Sequence, residues 1–307
     1  MKKIILSFVA FLFIIPAAFS QGLLDELDEI TKDDKQEPDY AFATFKGVRL
    51  INGHSVEMPA KGEMIYMIAH RFGSMENGFY DMFGLDRATM RMGFEYTLPT
   101  DFVCVGIGRS TYNKTYDAFV KAKLFRQQKG TKNFPFTITY VADIAMTNLR
   151  WTNPERKNYF SSRLMYMNQL LIARKFNSNL SLQLMPTVLH KNLVHTLDEQ
   201  NTTFSMGIGG RMKLTNRISI NAEYFGYIPG QKLPQIDGKN IPNTFAIGFD
   251  IETGGHVFQL QFTNANAMYD GGYITETTTD FFAPQGRGLH FGFNLTRTFS
   301  FKKNKGE

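Results

Sequence analysis

One cysteine, Cys104, stands alone in 307 residues, so neither an internal disulfide framework nor a cysteine-built metal centre is open to this chain. Cys104 sits in an alternating run between Val103 and Val105 and reads as a small buried residue. Tryptophan is as scarce, with a single residue, and aromatic character comes from 29 Phe and 13 Tyr. No charge of one sign dominates. The net charge is +6, or +4 without Lys2 and Lys3, and the cations are dispersed, which leaves no nucleic-acid footprint. Long apolar runs are also lacking. Beyond the first twenty residues nothing approaches the roughly 20 apolar residues of a transmembrane helix, so any membrane crossing must rest on strands.

The one apolar run, Ile4 to Ile15, follows the basic Met1-Lys2-Lys3 and precedes Ala18-Phe19-Ser20. That order predicts a secretory signal peptide over residues 1–20, cut between Ser20 and Gln21. Residues 21–61 form a second region. Asp25, Glu26, Asp28, Glu29, Asp33, Asp34, Glu37 and Asp39 make its first part a solvated acidic periplasmic segment, and a candidate docking site for a periplasmic protein. Residues 40–61 carry a strand-like Thr44–Ile51 and an Asn52-Gly53 turn. Three placements fit them: a periplasmic hairpin, a plug in a lumen, or two extra strands.

From residue 62 onward apolar and polar residues alternate with a period of two, the pattern of strands with one lipid-facing side. Strands are expected near 64–73, 88–97, 102–110, 115–127, 134–147, 159–173, 179–190, 203–213, 217–228, 243–252, 256–264 and 288–301. The fold class is therefore all-β, a transmembrane antiparallel up-and-down barrel over 62–307. It has about 12 strands, or 14 if residues 40–61 join. Phe245/Ile247/Phe249/Ile251 is a clear outward face, whereas both faces of 159–173 are apolar. The gaps alternate between short and long, as expected of short periplasmic turns and long extracellular loops. Gap 265–287 is the longest and is expected to be the largest surface element.

By the same alternation Arg71, Arg91, Lys121, Lys123, Arg211 and Lys213 face inward, as do Glu95, Asp117, Asp143, Glu223 and Asp250. Six cations against five anions can neutralise one another, and Arg91 and Glu95 are neighbours on one face. A selective pore would show a ring of one sign, so the balance favours a narrow or filled lumen. Gly106 and Gly108 relieve crowding inside the barrel. Arg109, on the outward face, could reach a lipid headgroup phosphate.

Catalytic chemistry has little support. None of His54, His70, His190, His195, His256 and His290 falls in a zinc-ligand spacing, and no cofactor motif is present. A loop metal site would need His190, His195, Asp198 and Glu199 to converge. A lipid hydrolase would need Ser110 and His70 to meet an orienting residue such as Asn113 or Asp86.

His70-Arg71-Phe72-Gly73, Gly84-Leu85-Asp86, Gly108-Arg109-Ser110, Asn113-Lys114 with Tyr116-Asp117, and Ile251-Glu252-Thr253-Gly254-Gly255-His256-Val257-Phe258 together resemble a family of uncharacterised bacterial outer-membrane β-barrel proteins, a domain of unknown function. The resemblance spans roughly residues 40 to 301 and implies a barrel in the outer membrane. It brings no catalytic residue and no substrate. The leading expectation is a non-enzymatic outer-membrane barrel among outer-membrane lipids, either a narrow or plugged channel for a small solute or a structural or docking barrel. The rivals are a lipid-modifying barrel enzyme and a secreted soluble β-protein.

Overall fold

The computed structural model describes residues 38–130, 132–194, 196–236, 239–253 and 256–301. The cleavage position Ser20–Gln21 and the acidic segment up to Glu37 lie outside the described residues, as does His195. Twelve strands build the fold: β1 (Glu63–Ser74), β2 (Ala88–Thr97), β3 (Val103–Ser110), β4 (Tyr116–Phe125), β5 (Thr137–Met146), β6 (Leu164–Lys175), β7 (Leu180–Lys191), β8 (Thr202–Lys213), β9 (Ile218–Tyr227), β10 (Thr244–Thr253), β11 (His256–Thr263) and β12 (His290–Ser300). Each pairs antiparallel with its sequence neighbours, and β12 returns to β1 to close the barrel. The closing ladder runs from Glu63 opposite Ser300 to Ser74 opposite His290, with a bulge between His290 and Gly292. Closure leaves no free edge, the condition a sheet must meet to cross a membrane.

The outward positions are large and apolar and stay exposed: Phe94, Ile107, Val120, Ile144, Leu184, Phe204, Ile208 and Phe249 are all at least 39% exposed. A belt of this size around a whole barrel is matched by lipid rather than by water. No helix among the described residues is long and apolar enough to cross a membrane; the crossing is made by strands.

Three expectations need correction. Residues 40–61 contribute no barrel strand, which removes the 14-strand alternative; only Asp39–Tyr40 forms a two-residue ribbon, with Gln128–Lys129. The sixth strand begins at Leu164, not 159, because Phe160–Arg163 is a 3-10 turn. The longest gap is not chiefly a surface loop. Ala265, Ala267, Met268, Tyr269, Asp270, Tyr273 and Ile274 are all buried, so its first half folds back into the lumen. This also explains the two apolar faces of β6: inward Met165 and Met167 join one buried cluster with Tyr269, Tyr273 and Ile274.

Candidate functional site in the barrel lumen

An eight-stranded barrel is just wide enough for its own side chains to fill, so twelve strands enclose additional space. Two insertions occupy it. Residues 44–57 enter ahead of β1, and residues 264–277 fold in between β11 and β12. We refer to them as the plug and the inner loop.

The plug is neither helix nor strand, so its buried backbone groups need partners from elsewhere. Its tip is a tight turn in which Leu50 N–H donates to the Gly53 carbonyl (2.9 Å) and Ser55 N–H to the Val48 carbonyl (3.0 Å). The Glu57 carboxylate accepts from the N–H groups of Thr44 (2.8 Å) and Phe45 (3.3 Å), and the barrel wall supplies many of the other partners. The Glu223 carboxylate accepts from the N–H groups of Ile51 (3.2 Å), Asn52 (2.8 Å) and Gly53 (3.2 Å). The Gln183 amide brackets the far side, accepting from Val56 N–H (3.0 Å) and donating to the His54 carbonyl (2.7 Å). Gln259 and Asn294 donate to the carbonyls of Leu50 (2.9 Å) and Ile51 (3.0 Å). Lys121 Nζ donates to the Glu57 carbonyl (2.9 Å).

Plug and inner loop meet at Asp270. Arg49 makes a bidentate pair with its carboxylate, Nη2 to Oδ2 at 2.9 Å and Nη1 to Oδ1, and His54 Nε2 lies 3.0 Å from Oδ2. Neither residue lies on a membrane-spanning strand. Burial, then the charge of Arg49, pushes the His54 imidazole down to about 3, so it is neutral and donates from Nε2. Burial alone would raise Asp270, but Arg49 and His54 beside it hold it well below the usual carboxylate range.

Arg71, Arg91, Glu95, Asp117, Lys121, Asp143, Arg211, Glu223 and Asp250 are all buried within the barrel, while Lys123 and Lys213 are half-buried. Their partners differ from the simple neighbour pairing of Arg91 with Glu95. Arg91 on β2 instead reaches across β3 to form a bidentate pair with Asp117 on β4, Nε to Oδ1 at 3.0 Å and Nη2 to Oδ2. Gly108 makes that possible: a Cβ there would sit 2.4 Å from Arg91 Nη2. Gly106 likewise gives way to the ring of Phe119, 2.3 Å from a Cβ at that position. Arg71 donates to Asn294 Oδ1 (3.1 Å) and Asn52 Oδ1 (2.9 Å), Arg211 to Ser219 Oγ (3.1 Å), and Gln259 to Asp250 (2.8 Å). Sequence reasoning did not find Arg49, His54, Asp270 or the wall amides Gln183, Gln259 and Asn294. The amides did carry a signal, since all three fall at inward positions of their strands.

The hydrolase constellation does not assemble. Ser110 points inward, fully buried, with its Oγ accepting from Tyr112 N–H (3.1 Å). His70 is on the opposite face of the wall, stacked on Phe293 at 4.8 Å. Asn113 donates to Glu276 instead (2.7 Å), and Asp86 is exposed. His190 bonds Thr202 Oγ1 (2.9 Å), and no metal-holding group among the described residues includes it. Arg109 lies outside, 5.4 Å over the ring of Tyr116. Above the inner loop, at the long-loop end, a polar pocket of about 500 Å³ is lined by Arg71, Arg87, Arg287, Glu76, Asp81 and His290 among others.

An apolar outer belt around a closed sheet with a charged, hydrogen-bonded interior defines a membrane-bound β-barrel. The chain belongs to the family described as Membrane bound beta barrel domain (DUF5777), whose model matches residues 45–299 and so takes in most of the plug as well as the strands. No curated protein matches it. Among solved structures it is similar to KdgM porin, at 9% identity and a TM-score of 0.42, over 78% of this chain and 99% of that one. It is also similar to a mutant Rh. blastica porin, at 8% identity and 0.31, over 69% of this chain and 55% of that one. BamA from Haemophilus ducreyi lacking POTRA domains 1–3 matches at 11% identity and 0.34, over 66% of this chain and 40% of that one.

Proposed function

We propose that this protein is a porin-like, non-enzymatic barrel of the bacterial outer membrane whose resting state is closed, and that it admits a small polar solute when the plug is displaced. The observation that carries this reading is the junction at Asp270. Two insertions from separate parts of the chain meet there inside the lumen, where Arg49 and His54 of the plug both bond one buried carboxylate of the inner loop. A filler needed only for bulk would be cheaper as apolar side chains, since buried ion pairs gain little net stability over well-packed hydrophobic ones. An ionic junction suits a contact that can open into water. The polar pocket above the inner loop offers a solute a place to wait. The acidic residues that precede the plug in sequence give a periplasmic protein a handle on it.

Planar-bilayer recordings test the reading. Wild type should conduct rarely and weakly. Asp270→Asn, which leaves Arg49 only the more distant Glu95 (3.8 Å) as counter-charge, should raise conductance at least several-fold while the barrel still shifts on a gel between unboiled and boiled samples. A large, steady wild-type conductance that ignores the substitution would exclude a closed resting state. Turnover of phospholipid or lipopolysaccharide by the purified barrel would restore the enzyme reading.

A further inference from the structure

Three buried carboxylates converge on one side of the lumen. Asp117 on β4, Asp143 on β5 and Asp270 on the inner loop each place an oxygen within 4.8 Å of the other two. Two of the three are already neutralised, Asp117 by Arg91 and Asp270 by Arg49. Asp143 is not: it is 5% exposed, and neither of its oxygens has a hydrogen-bond partner. An unpaired buried carboxylate is costly in any protein interior. Among the fully buried charges of the lumen alone, the acids Glu95, Asp117, Asp143, Glu223, Asp250 and Asp270 outnumber the bases Arg49, Arg71, Arg91, Lys121 and Arg211 by one, and the other inward cations, Lys123 and Lys213, are half-buried, not enclosed with them.

We propose that Asp143, with Asp117 and Asp270, holds a hard cation of calcium's size. Only oxygens are offered, which selects a hard ion over zinc, copper or iron. The spread also fits. An ion bound at about 2.3–2.6 Å bridges oxygens up to roughly 5 Å apart, whereas magnesium at about 2.0–2.1 Å would have to draw the strands inward. The free pair of oxygens on Asp143 can bind in bidentate fashion, and each of the other carboxylates keeps lone pairs beyond those its arginine uses. Calcium and sodium share this size and this taste for oxygen, so the ion's charge is left to the experiment. The cation would tie the inner loop to the wall at β4 and β5, a role independent of whether the barrel conducts.

The test is thermal melting of the detergent-solubilised full-length barrel, refolded in EDTA at pH 8 and then given calcium, magnesium, sodium or potassium chloride. Calcium or sodium should raise the melting temperature by roughly 5 °C at a hundredfold excess over its dissociation constant. Magnesium and potassium should do clearly less, and Asp143→Asn should abolish the difference between ions. Should that variant not fold, the ranking of ions on the wild type alone decides. An equal response to all four salts, no response to any, or a calcium or sodium effect that survives Asp143→Asn would each overturn the proposal. Indifference to every cation would assign the missing charge to a proton on Asp143.

Discussion

The plug and the inner loop fill one lumen in two different ways. The inner loop satisfies part of its own backbone through a short helical turn, Gly272–Thr275, while Thr244 and Tyr227 of the wall donate to the Tyr273 and Ile274 carbonyls. Within the turn Ile274 N–H donates to the Gly271 carbonyl (3.1 Å) and Glu276 N–H to the Gly272 carbonyl (2.9 Å). Its side chains then pack as a hydrophobic core does: Tyr273 lies 5.1 Å from Phe225, within a cluster that includes Met165 and Leu189. The plug places Phe45, Leu50 and Val56 in that cluster too, but most of its backbone bonds go to wall side chains. Withdrawing the loop would bare an apolar wall. Withdrawing the plug would bare Glu223, Gln183, Gln259, Asn294 and Lys121, all of which water can solvate. On the proposed reading, the loop serves stability and the plug is the part that leaves.

Separating the two roles should show its largest effect in the loop. Tyr273→Ala removes a fully buried aromatic side chain, and large aromatic truncations of this kind cost about 3–5 kcal/mol. The melting temperature should drop while conductance stays low, because the plug's wall contacts remain. Raised conductance with little loss of stability would reverse the assignment. Glu223→Gln probes the plug. It keeps the shape but trades a carboxylate for an amide beneath three N–H donors, at a cost of about 1–3 kcal/mol. Here conductance should rise more than melting falls.

Acid should loosen the junction more gently. His54 titrates near 6.5 when unfolded but only at about 3 in place, so between those values the unfolded chain binds the proton and the native one does not. Asp270, depressed in place, adds a loss of the same sign once pH falls below about 4. Open probability should climb as pH is lowered from 7 toward 4, and His54→Gln should flatten the upper part of that profile. A plug that tightens in acid would contradict the junction as described. The smallest effect is expected at Lys46, whose ion pair with Glu252 is partly exposed. Lys46→Ala should change stability by no more than about 1 kcal/mol and leave conductance unchanged.

The wall of this barrel is legible in the sequence because its physics is local. Alternation with a period of two sets both strand and face, and all twelve strands lie within a few residues of where that period puts them. The contents of the lumen obey no period. Thr44–Ile51 looks strand-like, yet its backbone partners are Gly53, Ser55 and Glu57 of the plug itself and side chains from β4, β9, β11 and β12, which no local pattern reveals. Gap length says that a loop is long without saying which way it folds. The apolar residues inside 265–287, with Met268, Tyr269, Tyr273 and Ile274 among them, carried the contrary signal. Parity placed Arg91 inside, but its partner depended on strand register and on the space that Gly108 leaves.

The seam between β1 and β12 also has a bearing on how the molecule is made. It joins Glu63 to Ser300, the two ends of the strand series, and such distant pairing is slow to find because a long stretch of chain must be ordered first. The plug is tethered directly ahead of β1, and its bonding partners are spread around the sheet as far as Asn294 on β12. It is thus available from the moment the first strands form, as a mandrel on which the later ones can curl. A nascent barrel shaped this way would bring its last strand back to its first already curved to meet it.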